Sequence, residues 1–233
     1  MIQDLLTIVI PCKNEEKYID NVILSISMQT GLGSTKIIVS DAGSTDNTLN
    51  IIDMYKNTLN ISVIEGGLPA IGRNNGAKIS KTKYILFIDA DAEIFDIDMI
   101  LKSVEIMEYK DLDLLAAKLN SDHFAVKILY KVNNLLMTLS KFDKPFAVGM
   151  YMMMRSDKFN ELGGFPEDVM HCEDYLLSKR VDKDKFDIIK KDVFSDNRRF
   201  KKMGYWGMVK YIFKNTINRN NYDYFKKDVN YWK

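Results

Sequence analysis

The scarcity of cysteine limits the class of protein that this chain can be. Only Cys12 and Cys172 occur among 233 residues, far apart and without a second pair. This spacing supports neither a disulfide framework nor a zinc cluster, and it favours a reducing, cytoplasmic compartment. The sequence also lacks an apolar run long enough to span a bilayer, and Asp4 stands where a secretion signal would be apolar. We therefore expect neither a standard secretion signal nor a membrane-spanning helix.

Acidic residues are nearly absent from the last part of the chain. Residues 197–233 hold ten Lys and Arg but only Asp223 and Asp228, and they also hold ten aromatic residues. The whole chain carries a formal net charge of only +1, so residues 1–196 are acidic on balance. Charge is thus divided between a large acidic region and a short basic, aromatic tail.

Short apolar runs alternate with helical patterns through the first ninety residues. Buried strands are predicted at Leu5–Ile10, Lys36–Ser40, Ile61–Ile64 and Tyr84–Ile88. The periodicity predicts helices between them, including one near Arg73–Ile79, and this alternation is typical of a parallel sheet. Residues 96–200 show a mixed pattern instead, with a long amphipathic helix from Phe124 to Leu139 and a strand at Val148–Arg155.

Carboxylates follow several of these strands. Asp89 and Asp91 end the apolar run, Asn14 and Glu15 follow the first strand, and Asp41 follows the second. The carboxyl ends of parallel strands meet at one crevice, where open α/β sheets bind ligands. Two carboxylates so close together favour a hard divalent cation held by oxygen ligands, although acids that only cap the next helix are the alternative. Asn14 is also placed to cap the helix that follows it.

At this point the sequence resembles the family 2 inverting glycosyltransferases of the GT-A fold. The motifs that carry the resemblance are, in order, Ile8-Val9-Ile10-Pro11 with Asn14-Glu15, Asp41-Ala42-Gly43-Ser44-Thr45-Asp46, Arg73-Asn74-Asn75-Gly76-Ala77, Asp89-Ala90-Asp91, Gly163-Gly164-Phe165 and Glu173-Asp174. The resemblance implies a Rossmann-like, mostly parallel α/β sheet flanked by helices. Residues 1–200 would form a single domain, with a nucleotide-sugar and metal half at 1–95 and an acceptor half at 96–200.

The resemblance also implies a binding site for a nucleotide-sugar donor. Pro11, Asn14, Gly43 and Ala90 belong to its motifs. Asp41 would accept a hydrogen bond from a base and Glu15 would hold the ribose or the base, unless Asp41 only forms the turn. Arg73 would pair with the donor phosphates, unless it is a solvated arginine on the helix surface. Asp91 would bind the metal, Mn²⁺ or Mg²⁺, directly, and Asp89 would lie nearer the ribose or hold the metal through water.

In the family the Asp of the Glu-Asp pair is the general base, which corresponds to Asp174 here, with Glu173 beside it. The alternative is that both are acids in the first turn of a helix. Arg198 and Arg199 would close over the diphosphate, but their surroundings depart from the Gln-x-x-Arg-Trp motif of processive synthases, which argues against long-polymer synthesis. His171 lies beside Cys172 and is more typical of a structural histidine than of a ligand.

The tail, residues 201–233, has the composition of a basic amphipathic helix at a membrane interface. Tyr205, Trp206 and Phe213 alternate with lysines such as Lys210 and Lys214. Aromatic side chains with flanking lysines suit the headgroup region of a bilayer. The same residues would also suit packing against the domain, whereas we expect no nucleic-acid partner.

Together these features predict a metal-dependent enzyme that moves one sugar from a nucleotide-sugar donor to an acceptor hydroxyl on a lipid-linked molecule or a growing glycan. The expected donor is a UDP-sugar. We expect a cytoplasmic protein, which would lie peripherally at the cytoplasmic face of a membrane if the tail is interfacial rather than packed on the domain. A sugar-phosphate nucleotidylyltransferase is disfavoured, because Pro11 to Glu16 replace the glycine-rich basic loop that a triphosphate needs. A binding protein that has lost turnover remains an alternative.

Overall fold

An eight-stranded mixed sheet forms the centre of the computed structural model, which describes residues 2–228. The strands are β1 (Leu6–Cys12), β2 (Lys36–Asp41), β3 (Ile61–Glu65), β4 (Tyr84–Ile88), β5 (Ala92–Glu93), β6 (Leu114–Asn120), β7 (Tyr151–Arg155) and β8 (Phe186–Ser195). Their order in space is β3-β2-β1-β4-β7-β6-β8-β5. The first four strands in this order are parallel, whereas β7 is antiparallel to both β4 and β6. The predicted change from a parallel to a mixed half is confirmed.

Helices flank the sheet and connect its strands. They are α1 (Ile2–Leu5), α2 (Ile19–Ser27), α3 (Thr48–Asp53), α4 (Pro69–Lys78), α5 (Met99–Lys110), α6 (Phe124–Ser140), α7 (Ser156–Glu161), α8 (Glu173–Ser178), α9 (Arg198–Met203), α10 (Tyr205–Ile217) and α11 (Tyr222–Phe225), with a 3₁₀ turn at Lys183–Lys185. The predicted helix near Arg73 begins earlier, at Pro69, because proline suits a first helical turn. The strands β5 and β8 were not predicted, since β5 has two residues and β8 contains Lys190, Lys191 and Asp192. The strand β6 coincides with an apolar stretch of the sequence that was not predicted to be a strand.

The central strands are apolar throughout because both of their faces are covered. In β1, Ile8 and Ile10 belong to one hydrophobic cluster and Val9 to the other, on the opposite face of the sheet. The helix α4 packs very closely on the Val9 side. A Cβ atom on Gly76 would lie 2.3 Å from Val9 Cγ1, so only glycine permits this approach.

Among residues 2–228, none of the helices is both long enough and apolar enough to cross a bilayer. The described residues end before Trp232, so that part of the predicted tail lies outside them, and so does the side chain of Arg199.

Candidate active site

The structure brings the predicted acidic residues to one edge of the sheet. The register of β1 and β2 pairs Cys12 with Asp41, and β4 is the other neighbour of β1. Asp89 and Asp91 therefore follow a strand that lies beside the one followed by Asn14 and Glu15. Asp89, Ala90 and Asp91 are all at least nine-tenths buried. A crevice lined by buried carboxylates results, as expected at the carboxyl ends of parallel strands.

The loops after β1 and β2 are joined by hydrogen bonds. The backbone N–H of Asn14 donates to Ser44 Oγ at 2.8 Å, and the N–H of Thr45 donates to Asn14 Oδ1 at 2.8 Å. Asn14 has a positive φ of 54°, which asparagine tolerates better than most residues. The prediction that Asn14 caps the next helix is wrong, because α2 begins only at Ile19 and the side chain of Asn14 is used by the neighbouring loop.

The carboxylate of Asp41 is occupied by its own turn. It accepts hydrogen bonds from the N–H of Gly43 at 3.0 Å, from the N–H and hydroxyl of Ser44 at 2.9 and 2.5 Å, and from Cys12 Sγ at 3.5 Å. A carboxylate offers about four positions for hydrogen-bond donors, and these four donors occupy all of them. Burial raises the pKa of the Cys12 thiol, and the charge of Asp41 raises it further, which keeps the thiol protonated as a donor. Asp41 thus forms the turn, and its predicted contact with a base stays a prediction.

Arg73 is the buried centre of the charged cluster. Its Nη2 donates to Asp89 Oδ1 and its Nη1 donates to Glu173 Oε1, both at 2.6 Å, while its side chain is only 2% exposed. Burial alone would lower the pKa of Arg73, but the charges of Asp89, Glu173 and Asp174 outweigh burial and hold the pKa above its ordinary value. Arg73 is therefore not a solvated surface residue. It links α4, the end of β4 and α8 through ion pairs with two protein carboxylates.

Asp174 is held by backbone donors on both of its oxygens. Its Oδ2 accepts from the N–H of Gly149 at 2.8 Å, and its Oδ1 accepts from the N–H of Tyr175 at 2.7 Å. Burial and then the adjacent charge of Glu173 raise the pKa of Asp174 to about 6. At neutral pH this carboxylate is ionised and is a stronger base than an ordinary aspartate, which suits general-base catalysis.

Gly149 is a site residue that the sequence did not reveal. A Cβ atom at this position would lie 2.5 Å from Arg73 Nη2, and that guanidinium is fixed by its ion pairs. The backbone of Gly149 therefore approaches Arg73 and also orients Asp174. The available signal was a lone glycine inside the predicted strand Val148–Arg155, because such a glycine often marks a bulge or a close approach of the backbone, whereas β7 itself begins only at Tyr151.

Arg198, the first residue of α9, reaches across the crevice to the acids of the first half. Its guanidinium binds both oxygens of Glu15 at 2.6 and 2.7 Å and lies 3.0 Å from Asp91 Oδ2. The central carbon of this guanidinium, Cζ, lies 4.8 Å from the centre of the Tyr18 ring. A positive charge of the protein itself thus stands directly against Asp91, and the predicted binding of a divalent cation by this carboxylate stays a prediction.

The oxygen ligands around Asp91 fit a divalent metal that is shared with a substrate. The antiparallel pairing of Ala92 with Ser195 puts Asp91 next to Asp196. Asp196 Oδ1 and Asn197 Oδ1 are buried acceptor atoms with no hydrogen-bond partner within residues 2–228. That same part of the chain contains no cluster of three or more His, Cys, Asp or Glu that would hold a metal alone. Mg²⁺ usually binds through one or two carboxylates plus substrate phosphates, and this donor set meets that need.

His171 is fully buried and packs among aromatic rings. Its Nδ1 lies 3.2 Å from the hydroxyl of Tyr211 and 3.4 Å from Cys172 Sγ, and its ring contacts Tyr224 and Phe225. Burial lowers the pKa of His171, so the ring is neutral at physiological pH. These contacts connect the start of α8 with α10 and α11, which is a structural role.

Comparison with known proteins identifies the family. The family model "Glycosyl transferase family 2" matches residues 7–163, and the chain belongs to this family. The chain is 29% identical over 208 residues to a poly(ribitol-phosphate) beta-glucosyltransferase of Bacillus spizizenii, covering 80% of this chain and 32% of that protein. It is 26% identical over 191 residues to the O-antigen chain rhamnosyltransferase RfbN of Salmonella typhimurium, covering 76% and 60% of the two chains.

Solved structures show the same GT-A fold. The S. aureus TarS fragment 1–349 in complex with UDP-GlcNAc superposes with a TM-score of 0.65 at 22% identity, covering 82% of this chain and 58% of that one. A mannosyltransferase of Pyrobaculum calidifontis in complex with GDP-Man and Mn²⁺ gives a TM-score of 0.69 at 18% identity, with coverages of 89% and 64%. The chain spans only 32% and 16% of the first two curated relatives, the glucosyltransferase and TarS.

Proposed function

We propose that this protein transfers one sugar from a nucleotide-sugar donor to an acceptor hydroxyl with inversion at the anomeric carbon. The observation that carries the proposal is Asp174, a carboxylate with its pKa raised to about 6, which lines one cavity together with Arg73, Asp89 and Glu173. The TarS structure in complex with UDP-GlcNAc supports a UDP-sugar as the donor.

The donor lies, in this proposal, along the crevice formed by Pro11, Glu15, Gly43, Asp89 and Asp91. The first two loops are joined by hydrogen bonds before any ligand binds, so little ordering is needed there. Arg198 exchanges its carboxylate partners for the diphosphate, which its planar guanidinium can bind through two parallel hydrogen bonds. Arg199, the next residue, is proposed to assist, and Arg73 acts by holding Asp89 and Glu173 in place.

A bound Mn²⁺ or Mg²⁺ would neutralise charge on the leaving diphosphate, with Asp91 as its direct ligand and Asp89 nearer the ribose or holding the metal through water. Asp174 takes the acceptor proton while the acceptor oxygen forms its bond to the anomeric carbon. The bond from that carbon to the diphosphate breaks at the same time, and the electron pair leaves with the diphosphate. Proton removal of this kind contributes roughly 10²–10⁴-fold in rate. A second carboxylic acid is unnecessary because a diphosphate leaves without being protonated.

Asp91 provides the test of the donor site. We expect UDP and UDP-sugars to raise the melting temperature of the protein more with Mn²⁺ than without it, because a ligand that binds only the folded state stabilises it by mass action. Asp91→Ala should remove the Mn²⁺-dependent part of the shift. Asp53→Ala is the matched control, since Asp53 is an exposed acid on α3 paired with Lys56.

An unchanged Mn²⁺-dependent shift in Asp91→Ala would overturn the metal assignment. A shift with UDP-sugar but no transfer to any acceptor would favour a binding protein that has lost turnover. A panel of nucleoside diphosphates in the same assay would identify the base.

We further propose that the tail associates peripherally with the cytoplasmic face of a membrane. One side of α10 packs on the core through Met208, Tyr211 and Ile212. Its other side leaves Trp206 80% and Phe213 64% exposed, and α10 contains lysines but no acids. Exposed aromatic residues next to lysines favour an anionic lipid surface.

Flotation with phosphatidylglycerol vesicles tests this association. The double variant Trp206→Ser/Phe213→Ser should lose most of its vesicle binding while its melting temperature changes little, because both side chains are exposed. Tyr109→Ser is the control, since Tyr109 is an 89% exposed aromatic residue on α5. Equal vesicle binding by wild type and the double variant would show that α10 only packs against the domain.

A further inference from the structure

A cavity of about 520 Å³ begins at the acids of the site and continues between α6 and α10. Its volume lies in the range of small-molecule sites. Apolar side chains provide most of the wall surface. The principal apolar members of the wall are Leu136 and Leu139 from α6, Met208 and Ile212 from α10, and Phe146 and Met150 from the segment between α6 and β7.

The charged side chains of this wall fall into two sets. One set is Arg73, Asp89, Glu173 and Asp174, the cluster that contains the proposed base. The other set is Asp143, Lys144 and Arg219, which follow the C-terminal ends of α6 and α10. Between these two charged sets, α6 and α10 contribute leucine, isoleucine and methionine side chains together with six polar ones. Each polar side chain already makes a hydrogen bond within the protein; they are Tyr130, Asn133, Ser140, Tyr211, Asn215 and Thr216.

A wall of this kind is poorly suited to a sugar chain. Each hydroxyl that loses water without gaining a hydrogen bond costs free energy, and leucine or isoleucine side chains offer no partner. An alkyl or isoprenoid chain, in contrast, gains free energy from the same wall in proportion to the apolar area that it buries.

We propose that the cavity binds the apolar chain of an amphiphilic acceptor, with the acceptor hydroxyl at Asp174 and the chain between α6 and α10. This inference rests on the proposed glycosyl transfer, and it specifies the acceptor class of that reaction as a hydroxyl-bearing amphiphile. The residues that select the acceptor are then those of the two helices, above all Leu136 and Ile212.

The outer faces of the same two helices support a lipid source for this acceptor. On α6, Phe124 is 79% and Leu135 58% exposed, and this helix, like α10, has lysines and no acids. The two helices that enclose the cavity therefore also present apolar and basic side chains to the outside. A lipid surface touching both helices would lie beside the cavity that receives the chain.

Binding of alkyl glucosides tests the proposal without any turnover. We would measure the Kd of methyl, hexyl and octyl β-D-glucoside by calorimetry, below their micelle concentrations and in the absence of donor. The affinity should increase with chain length by up to roughly fourfold for each added methylene group. Leu136→Trp, which fills the cavity from α6, should weaken octyl glucoside binding by roughly tenfold or more while methyl glucoside is unaffected.

Leu135→Trp is the matched control, because Leu135 is the adjacent residue on α6 but does not line the cavity. Ile212→Trp and Val209→Trp form a second such pair on α10, which covers the case that one cavity variant fails to fold. Equal affinity for methyl and octyl glucoside, or equal losses in Leu135→Trp and Leu136→Trp, would overturn the proposal. The Mn²⁺-dependent UDP-sugar shift is measured on the same samples, so that failure of the cavity assignment is distinguished from failure of the proposed transfer.

Discussion

Asp174→Asn should lower kcat by roughly 10²–10⁴-fold and leave donor affinity nearly unchanged. The amide keeps the size of the side chain and one oxygen that accepts from the N–H of Gly149 or Tyr175, so the fold of the site should be retained although the other of these two hydrogen bonds is lost. It cannot take a proton from the acceptor, and only the catalytic step is lost. Steady-state kinetics with a UDP-sugar and an alkyl glucoside, together with the melting shift caused by donor, would separate the two effects. Near-normal kcat would remove Asp174 as the base.

The pH dependence provides an independent readout of the same residue. The base must be ionised, and the pKa of Asp174 is raised to about 6, so kcat/KM should fall roughly tenfold per pH unit below pH 6. Asp143→Asn removes another carboxylate from the same cavity and should show the same decrease in kcat/KM below pH 6 as the wild type. In the folded state the pKa lies above its ordinary value of 3.8, so ionisation of Asp174 lowers stability as pH rises from about 4 to 6. Asp174→Asn should therefore gain stability relative to wild type across that interval.

Arg73→Met should destabilise the protein by about 3–5 kcal/mol, because it leaves charged groups in the interior without their cation. Glu173 loses the guanidinium at 2.6 Å, and Asp89 loses one positive partner at the same distance. Urea unfolding at pH 7 would measure the loss. Activity should also fall sharply, since Asp89 and Glu173 both line the cavity that contains the proposed base.

Arg155→Met is the matched control for this variant. Arg155 also pairs with several acids, Asp111, Asp113 and Asp157, but two of these partners are more than 60% exposed, so its loss should cost roughly 1 kcal/mol or less. Adding Asp89→Asn and Glu173→Gln to Arg73→Met should restore part of the stability without restoring activity. If Arg73→Met is no less stable than Arg155→Met, the buried cluster is not the electrostatic centre that its geometry indicates.

The strands of the first half and the edge that carries the acids were predictable from local patterns. A run such as Tyr84–Ile88 is apolar at every position because helices cover both faces of a parallel sheet, and such a run marks the strand together with its end. Strands β5 and β8 escaped prediction because pairing across the sheet, rather than their own composition, makes them strands. Asn14 illustrates the same limit at a single residue, since its side-chain oxygen accepts a hydrogen bond from the backbone of Thr45, thirty-one residues away, instead of capping the next helix.

The sequence by itself determined the fold class, the family and the edge of the sheet where the chemistry would lie, because periodicity and strand-end residues are local signals. Only the tertiary structure decided the partners of the charged groups. Arg73 pairs with Glu173 across one hundred residues, and Arg198 pairs with Glu15 across 183. It also decided that α6 and α10 enclose an apolar cavity at the proposed base. The reason is physical. The chemical type of a side chain determines what it can bind, whereas the packing of distant elements determines which groups come within hydrogen-bond distance and which surfaces remain open.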